Sequence, residues 1–464
     1  MTSATYDRQT AEQPSAGPLA IGSWMLFDWA AQPFYTLVTT FLFAPYFAAV
    51  FIGDAAQGGA IWGYTMAAAS ILVALGSPVL GAIADRRGRL KQLIGWLSIG
   101  FVLGQLALWY AVPGASGNLW IVVLGLIVAT VAAEFSAVLN NSLMPRLVPS
   151  RLLGRVSGGG WALGYAGGLI SLIIMAAFIL IDGGSGQTVL GLAPLISFDV
   201  ASHEADRFVG PFSALWFVVF VIPFFLFTPD APPRPGAERA TIRSAFASIA
   251  RTLRHIGRYR DLALFFAARM LFIDGLLAIF TFGGIYAKAV FDWPTIVIGY
   301  FGIILSIAAG IGAAAGGFLD DRLGSKRVLV GALLLLICGA GGVISIDSRH
   351  VLFFLEVAPR AADAAPFTST GELVYIAFAI LIGLSSGPLQ SASRSLLARM
   401  APPEHMSEFF GFFAFSGKVT AFAAPLIIGI LADTTGSLQI AMSVILLFLL
   451  SGLVILGFVR TNSL

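Results

Sequence analysis

Charge is what this sequence has least of. Only 11% of its 464 residues are Asp, Glu, Lys or Arg, against about 25% in a soluble globular domain. With 58% hydrophobic residues and a mean hydropathy of +0.89, one water-soluble core could not hide the apolar surface, which would form large exposed patches. Cysteine is nearly missing: Cys338 stands alone, which excludes an internal disulfide framework. The four histidines, His203, His255, His350 and His405, are scattered without metal-ligand spacing, so no metal or other cofactor is expected. No clustered nucleophile or His-based acid–base pair argues for an embedded enzyme. The basic residues flank apolar runs and form no single broad face, so a nucleic-acid partner is not expected either.

What is abundant fits a bilayer. Fifty-two Gly and 38 Phe suit membrane helices, where small residues let backbones approach closely. A spanning helix needs roughly 20 mostly apolar residues. Runs of that kind occur near 21–51, 60–84, 92–112, 119–143, 157–181 and 211–228, then near 262–290, 295–319, 328–346, 373–397, 409–431 and 438–459. The first run is too long for a cleaved signal-peptide core and reads as a retained span. The expected fold is an all-α membrane protein of twelve transmembrane helices in two pseudo-symmetric six-helix bundles. Its organisation reads as a cytoplasmic N-terminal tail over 1–20, an N-terminal bundle over 21–228, a cytoplasmic linker over 229–260 and a C-terminal bundle over 261–464.

Lys and Arg placement sets the orientation. With the N-terminus inside, the inner side holds 21 of the 27 basic residues; Arg207, Lys288, Arg349 and Arg360 lie outside, and Arg269 and Lys418 lie within spans. Both termini are therefore expected in the cytoplasm, with the protein in the inner membrane of a bacterium. Within the linker, Ile242, Phe246, Ile249, Leu253 and Ile256 recur at alternating steps of four and three, while Arg243, Arg251, Arg254 and Arg258 fall largely on other faces. That pattern predicts a basic amphipathic helix lying on the anionic inner leaflet.

Two loops repeat. Gly81, Asp85, Arg86 and Gly88 follow the second run; Gly317, Asp321, Arg322 and Gly324 follow the eighth, 236 residues later. Six spans separate the copies, the mark of a parallel duplication. The Gly residues permit a tight turn and close helix approach. The Asp and Arg can bond helix ends or partner side chains. Gly-x-x-x-Asp-Arg-x-Gly between spans resembles the signature loop of the major facilitator superfamily. That resemblance implies alternating access around a central cavity lined by spans 1, 4, 7 and 10, with spans 3, 6, 9 and 12 facing lipid. It also implies that Asp85, Arg86, Asp321 and Arg322 help lock the cytoplasmic gate.

A narrower resemblance covers nearly the whole chain. Asp28-Trp29-Ala30, Gly154 to Gly158, Trp161 to Tyr165, Asp274-Gly275, Ser393-Arg394-Ser395, Glu408 to Gly411 and Ser416-Gly417-Lys418 are similar to motifs of the vacuolar effluxer branch. Fungal members of that branch are associated with releasing amino acids from the vacuole. Two departures stand out: Ala31 replaces the Asn usual after Asp-Trp-Ala, and Phe272-Ile273 replaces a Tyr-Asn pair. Both remove polar groups from expected cavity helices.

An ionised side chain at mid-bilayer costs at least ~2.5–3.5 kcal/mol on insertion scales. The sequence nevertheless places Asp28, Glu134, Arg269, Asp274 and Lys418 within spans. Polar stripes run beside them: Asp28, Gln32, Thr36 and Thr39; Thr130, Glu134 and Asn141; Asp274, Thr281 and Lys288; Ser386, Gln390 and Arg394. Three carboxylates face two cations, so one carboxylate lacks a partner and burial would favour its proton. The expected role is secondary active transport of a small polar solute, such as an amino acid, coupled to protons through Asp28, Glu134 or Asp274, with Arg269 or Lys418 as counter-charge or anion anchor. Two readings of these charges stand side by side: a transport path, or structural ion pairs between helices. A sugar or amphipathic-drug transporter and a transport-dead sensor or scaffold are the alternative functions. A glycine ridge at Gly160, Gly164 and Gly168 predicts tight packing on a neighbouring helix.

Overall fold

A computed structural model describes residues 16–181, 186–232, 245–247, 249–250, 254, 256–360 and 365–461. Among the described residues, eleven helices are long and apolar enough to cross a membrane. In chain order they include α1 (Pro18–Phe51), α2 (Ala55–Arg87), α3 (Leu90–Tyr110), α4 (Leu119–Leu147), α5 (Ser150–Phe178) and α6 (Glu204–Phe227). The second half contributes α7 (Arg260–Phe291), α8 (Thr295–Leu323), α9 (Ser325–Ile344) and α10 (Thr370–Met400). The eleventh crossing is split. Instead of one helix near 409–431, the chain forms α11 (Met406–Ser416) and α12 (Ala423–Thr435), joined by turns. The last helix is α13 (Leu438–Gly457). The result is two six-helix bundles of the major facilitator kind, with the eleventh crossing in two pieces.

Proline chemistry accounts for the irregularities. A proline lacks an N–H and its ring clashes with the carbonyl four residues back. Pro425 therefore opposes a helix continuing through Ala421, and α12 begins at Ala423. Pro33 leaves the Trp29 carbonyl without its usual donor, and Trp216 Nε1 donates to it instead at 3.2 Å. Beyond Pro33 the first crossing widens into π-helical turns over Phe34–Phe41 and Phe47–Phe51. Between α9 and α10 a small antiparallel hairpin pairs His350–Val351 with Leu355–Glu356, so the chain is not wholly helical. The expected surface helix of the linker lies largely outside the described residues.

Large apolar side chains stand exposed on α3 (Trp96, Leu103), α6 (Leu215, Leu226), α9 (Leu334) and α13 (Leu447, Val454), but also on α4 (Trp120, Leu124), α8 (Ile311) and α10 (Leu373), so apolar exposure is not confined to the spans expected to face lipid. The seam between halves is built by α5 on α8 and α2 on α11, with α10 reaching α4 and α5. The glycine ridge of α5 packs on the polar stripe of α1. A methyl added at Gly160 would sit 2.7 Å from Asp28 Oδ2, and one at Gly164 3.4 Å from Gln32 Oε1. The two helices thus approach because α5 has no side chains there.

Candidate functional site: the seam between the two halves

The two signature loops do the same thing in mirrored places. Asp85, at the end of α2, accepts the backbone N–H groups of Ser407 (2.9 Å) and Glu408 (2.7 Å) at the start of α11. Asp321, at the end of α8, accepts those of Gly154 (2.8 Å) and Arg155 (3.3 Å) at the start of α5. The first N–H groups of a helix have no intrahelical acceptor, and the N-terminal end of the helix dipole favours negative charge. Each carboxylate therefore caps a helix of the opposite half. Glycine makes room: a side chain on Gly81 would run into the Ser407 backbone, and one on Gly317 into Gly154 and Arg155. Gly88 and Gly324 hold positive φ at the turns, +64° and +86°, a conformation that glycine tolerates best.

The cations of this lock are not those of the repeat. Arg322 is exposed, and neither Arg86 nor Arg322 bonds a carboxylate among the described residues. Arg155 Nε pairs with Asp321 at 2.6 Å instead. Arg399, from α10, bonds Asp320 and Ser325 and donates to the Ser150 carbonyl at 3.1 Å. Ser395 also bonds the buried Asp320. Sequence spacing gave no hint of Arg399, and Arg155 was visible only inside the Gly154–Gly158 motif.

Deeper in the seam, two ion pairs join the halves. Arg394 of α10 reaches Asp28 of α1 at 3.0 Å. The same guanidinium donates to Asn141 Oδ1 of α4 (3.0 Å) and to Ser157 of α5 at Oγ (2.9 Å) and carbonyl (2.6 Å). Trp24 and Trp161 present ring faces to it at 5.1 and 5.9 Å. The second pair is Lys418, in the turns between α11 and α12, with Glu134 of α4 at 3.0 Å. Tyr35 lies within electrostatic range of both Asp28 and Glu134. Gln390 donates to the Tyr165 hydroxyl at 3.1 Å, again across the seam. Gln32 lies half-buried against α5. Asp28 thus finds its partner in Arg394, whose place near a helix end had kept it out of the intramembrane tally.

The remaining two charges, Arg269 and Asp274, make no ion pair among the described residues, so the three carboxylates share no single bonded cluster. Arg269 of α7 donates to the Phe413 carbonyl (2.6 Å) and Ser416 Oγ (2.9 Å) at the end of α11, and lies 3.5 Å over the Phe413 ring. Asp274 is 1% exposed, and neither carboxyl oxygen has a hydrogen-bond partner. Farther along α7, Thr281 and Lys288 are exposed, and the Thr281 hydroxyl bonds its own helix at Leu277. The α7 stripe therefore does not present one continuous polar face to the seam.

This architecture defines a major facilitator transporter, and the solved structures it resembles carry that fold. The human organic anion transporter MFSD10 (TETRAN) aligns with a TM-score of 0.68 at 14% identity, covering 94% of this chain and 99% of the other. The superfamily transporter FucP in its outward conformation aligns at 0.69 and 14% identity, covering 96% and 99%. The sequence profile of the family described as "Vacuole effluxer Atg22 like" matches residues 48–463, and the chain belongs to that family. It is 28% identical over 442 residues to an uncharacterized MFS-type transporter, YxiO, of Bacillus subtilis, covering 94% of each. It is 26% identical over 312 residues to autophagy-related protein 22 of Cryptococcus neoformans, covering 65% of this chain and 52% of the fungal one. The chain is an integral, multi-pass membrane protein of a transporter family.

Proposed function

We propose that this protein moves a small zwitterionic solute of the amino-acid kind across the membrane by alternating access, with proton coupling. The observation that carries this reading is the pair of cross-seam ion pairs, Asp28–Arg394 and Glu134–Lys418. Each offers one acid and one base to the space between the halves. Separating the buried Asp28–Arg394 pair by removing one partner costs about 3–5 kcal/mol, because a charge is left uncompensated, and the more solvated Glu134–Lys418 pair costs less. A zwitterion avoids that cost: its ammonium can take the place of one cation and its carboxylate the place of one anion. A neutral sugar leaves the pairs joined, and a singly charged solute leaves one group orphaned. The more accessible pair, Glu134–Lys418, with side chains 19% and 29% exposed, is where such a solute would first engage.

With the signature loops in the cytoplasm, the locked loop end makes this the outward-facing form. The end of the seam beyond the break is looser, since α12 packs mainly on α13 and α7 of its own half. The reading is tested by uptake of labelled amino acids, sugars and amphipathic cations into proteoliposomes under an imposed pH gradient. Accumulation of at least one amino acid, lost in Lys418→Met and Glu134→Gln, is the expected result. Accumulation confined to sugars or amphipathic cations would overturn it.

A further inference from the structure

The hairpin between α9 and α10 carries an apolar run where a turn prefers small or polar residues. Leu352, Phe353, Phe354 and Leu355 form its tip and all four are exposed, Phe353 and Phe354 by 66% and 73%. Leu352 and Phe353 hold left-handed backbone, with φ of +55° and +67°. Tight hairpin turns fill such positions with Gly, Asn or Asp, because in that conformation a larger residue's Cβ crowds the following carbonyl oxygen. The residues that make this tip apolar therefore also strain it. Turn formation gains nothing from them, and the core of the protein gains nothing from side chains that stand outside it. The contact they serve lies beyond the chain.

The tip is held firmly and at a defined depth. The Phe353 N–H donates to the Ser345 carbonyl just past the end of α9 (2.9 Å), and the Val357 N–H to the Arg349 carbonyl (2.8 Å). Asp347 Oδ1 accepts the backbone N–H groups of Arg349 (2.7 Å) and His350 (2.8 Å). The base is tied to two neighbouring spans: the Tyr286 hydroxyl of α7 donates to the Ile346 carbonyl at 2.7 Å, and Gln439 Nε2 of α13 to the Ile344 carbonyl at 2.8 Å. Helix α9 has 20 residues, about 30 Å of helix, which matches the thickness of the hydrocarbon core. Its end lies at the edge of that core, and the tip, folded back on Ser345, lies there too. Helices α9 and α13 pack mainly within their own half, which sets the hairpin on the rim of the molecule, away from the seam. The apolar tip thus continues the lipid-facing surface of α9, which exposes Leu334 and Leu335. We infer that the tip inserts into the bilayer leaflet opposite the signature loops and anchors the second half there. No charge lies between Val351 and Leu355, which suits the acyl boundary, while Arg349, His350 and Glu356 flank the run with groups suited to headgroups.

The test needs no solute, and its outcome is independent of the transport reading. A fluorophore is attached at Phe354→Cys, or at Ser348→Cys for comparison, in a Cys338→Ser background; both labelled positions are exposed. The full chain is placed in phosphatidylethanolamine–phosphatidylglycerol vesicles, and quenching by nitroxide lipids, labelled high on the acyl chain, is compared with quenching by aqueous iodide. The ratio of lipid to aqueous quenching should be several-fold higher at 354 than at 348. A further variant adds Leu352→Asn, Phe353→Gly and Leu355→Thr, which gives the turn the residues it prefers and removes the apolar run. Its melting temperature in detergent should not fall, while the label at 354 should drop to the quenching ratio seen at 348. Equal ratios at 354 and 348 in the parent chain would overturn the anchor. Shielding of 354 from both quenchers would also overturn it, since a second copy or another protein would then cover the tip. So would lipid quenching at 354 that survives loss of the apolar run, because the scaffold and not the tip would set the depth.

Discussion

Helix α5 and the split crossing α11–α12 hold equivalent places in the two halves, and they are built differently. Each starts under a signature-loop aspartate of the other half, Asp321 over α5 and Asp85 over α11. From there they diverge. Helix α5 runs unbroken, its glycine ridge pressed on Asp28, Gln32 and Thr36 of α1. Its counterpart stops at Ser416, turns through Lys418 and Thr420, and restarts at Ala423. The lesson is that the duplication kept the lock and changed the lever. One half presents a rigid rod with a buried, many-bonded guanidinium beside it; the other presents a joint with an accessible lysine in it.

The largest test of that contrast is the two ion pairs. Arg394 is 4% exposed and makes contacts to three helices of the opposite half, whereas the Lys418 side chain is 29% exposed with one partner. Arg394→Met should destabilise the folded protein by about 3–5 kcal/mol, the cost of orphaning a buried partner. Lys418→Met should cost about 1 kcal/mol or less, as for a solvated pair. Chemical unfolding in detergent, followed through tryptophan fluorescence, gives both values; equal losses would erase the distinction between rod and joint.

A smaller effect sharpens what the halves share. Asp85→Ala and Asp321→Ala each remove a helix cap, worth about 0.5–2 kcal/mol. Both should weaken closure of the loop end by similar amounts, read as faster labelling of a cysteine placed under it. A strong effect from one and none from the other would mean that the locks are not equivalent. The smallest change in stability is expected from Pro425→Ala, within about 1 kcal/mol, because the break lies between helices that are already docked. It restores a donor for the Ala421 carbonyl and should stiffen the joint. Backbone hydrogen exchange over 417–423 should therefore slow in this variant while the fold survives.

Much of this was legible in the residues. Scarcity of charge forced the bilayer reading, run lengths gave the crossings, and the Gly81 and Gly317 loops gave the duplication. The glycine ridge of α5 announced a close neighbour. The break in the eleventh crossing was also written there, in Gly417 and Pro425, but an apolar count over 409–431 passes over it because hydropathy is blind to a missing N–H. The charge count found an odd carboxylate without saying which one. Arg394 lay too close to a helix end to be counted, and it satisfies Asp28.

The sequence alone determined the solvent of this protein, the number of times it crosses that solvent, and the presence of two related halves. Those follow from local quantities: side-chain transfer energies and helix length. Only the tertiary structure decided who pairs with whom. Asp28 meets Arg394, 366 positions away, and Glu134 meets Lys418, while Asp274 meets no base in bonding range. Electrostatic partnership depends on separation in space, and that separation is fixed by how the rods pack.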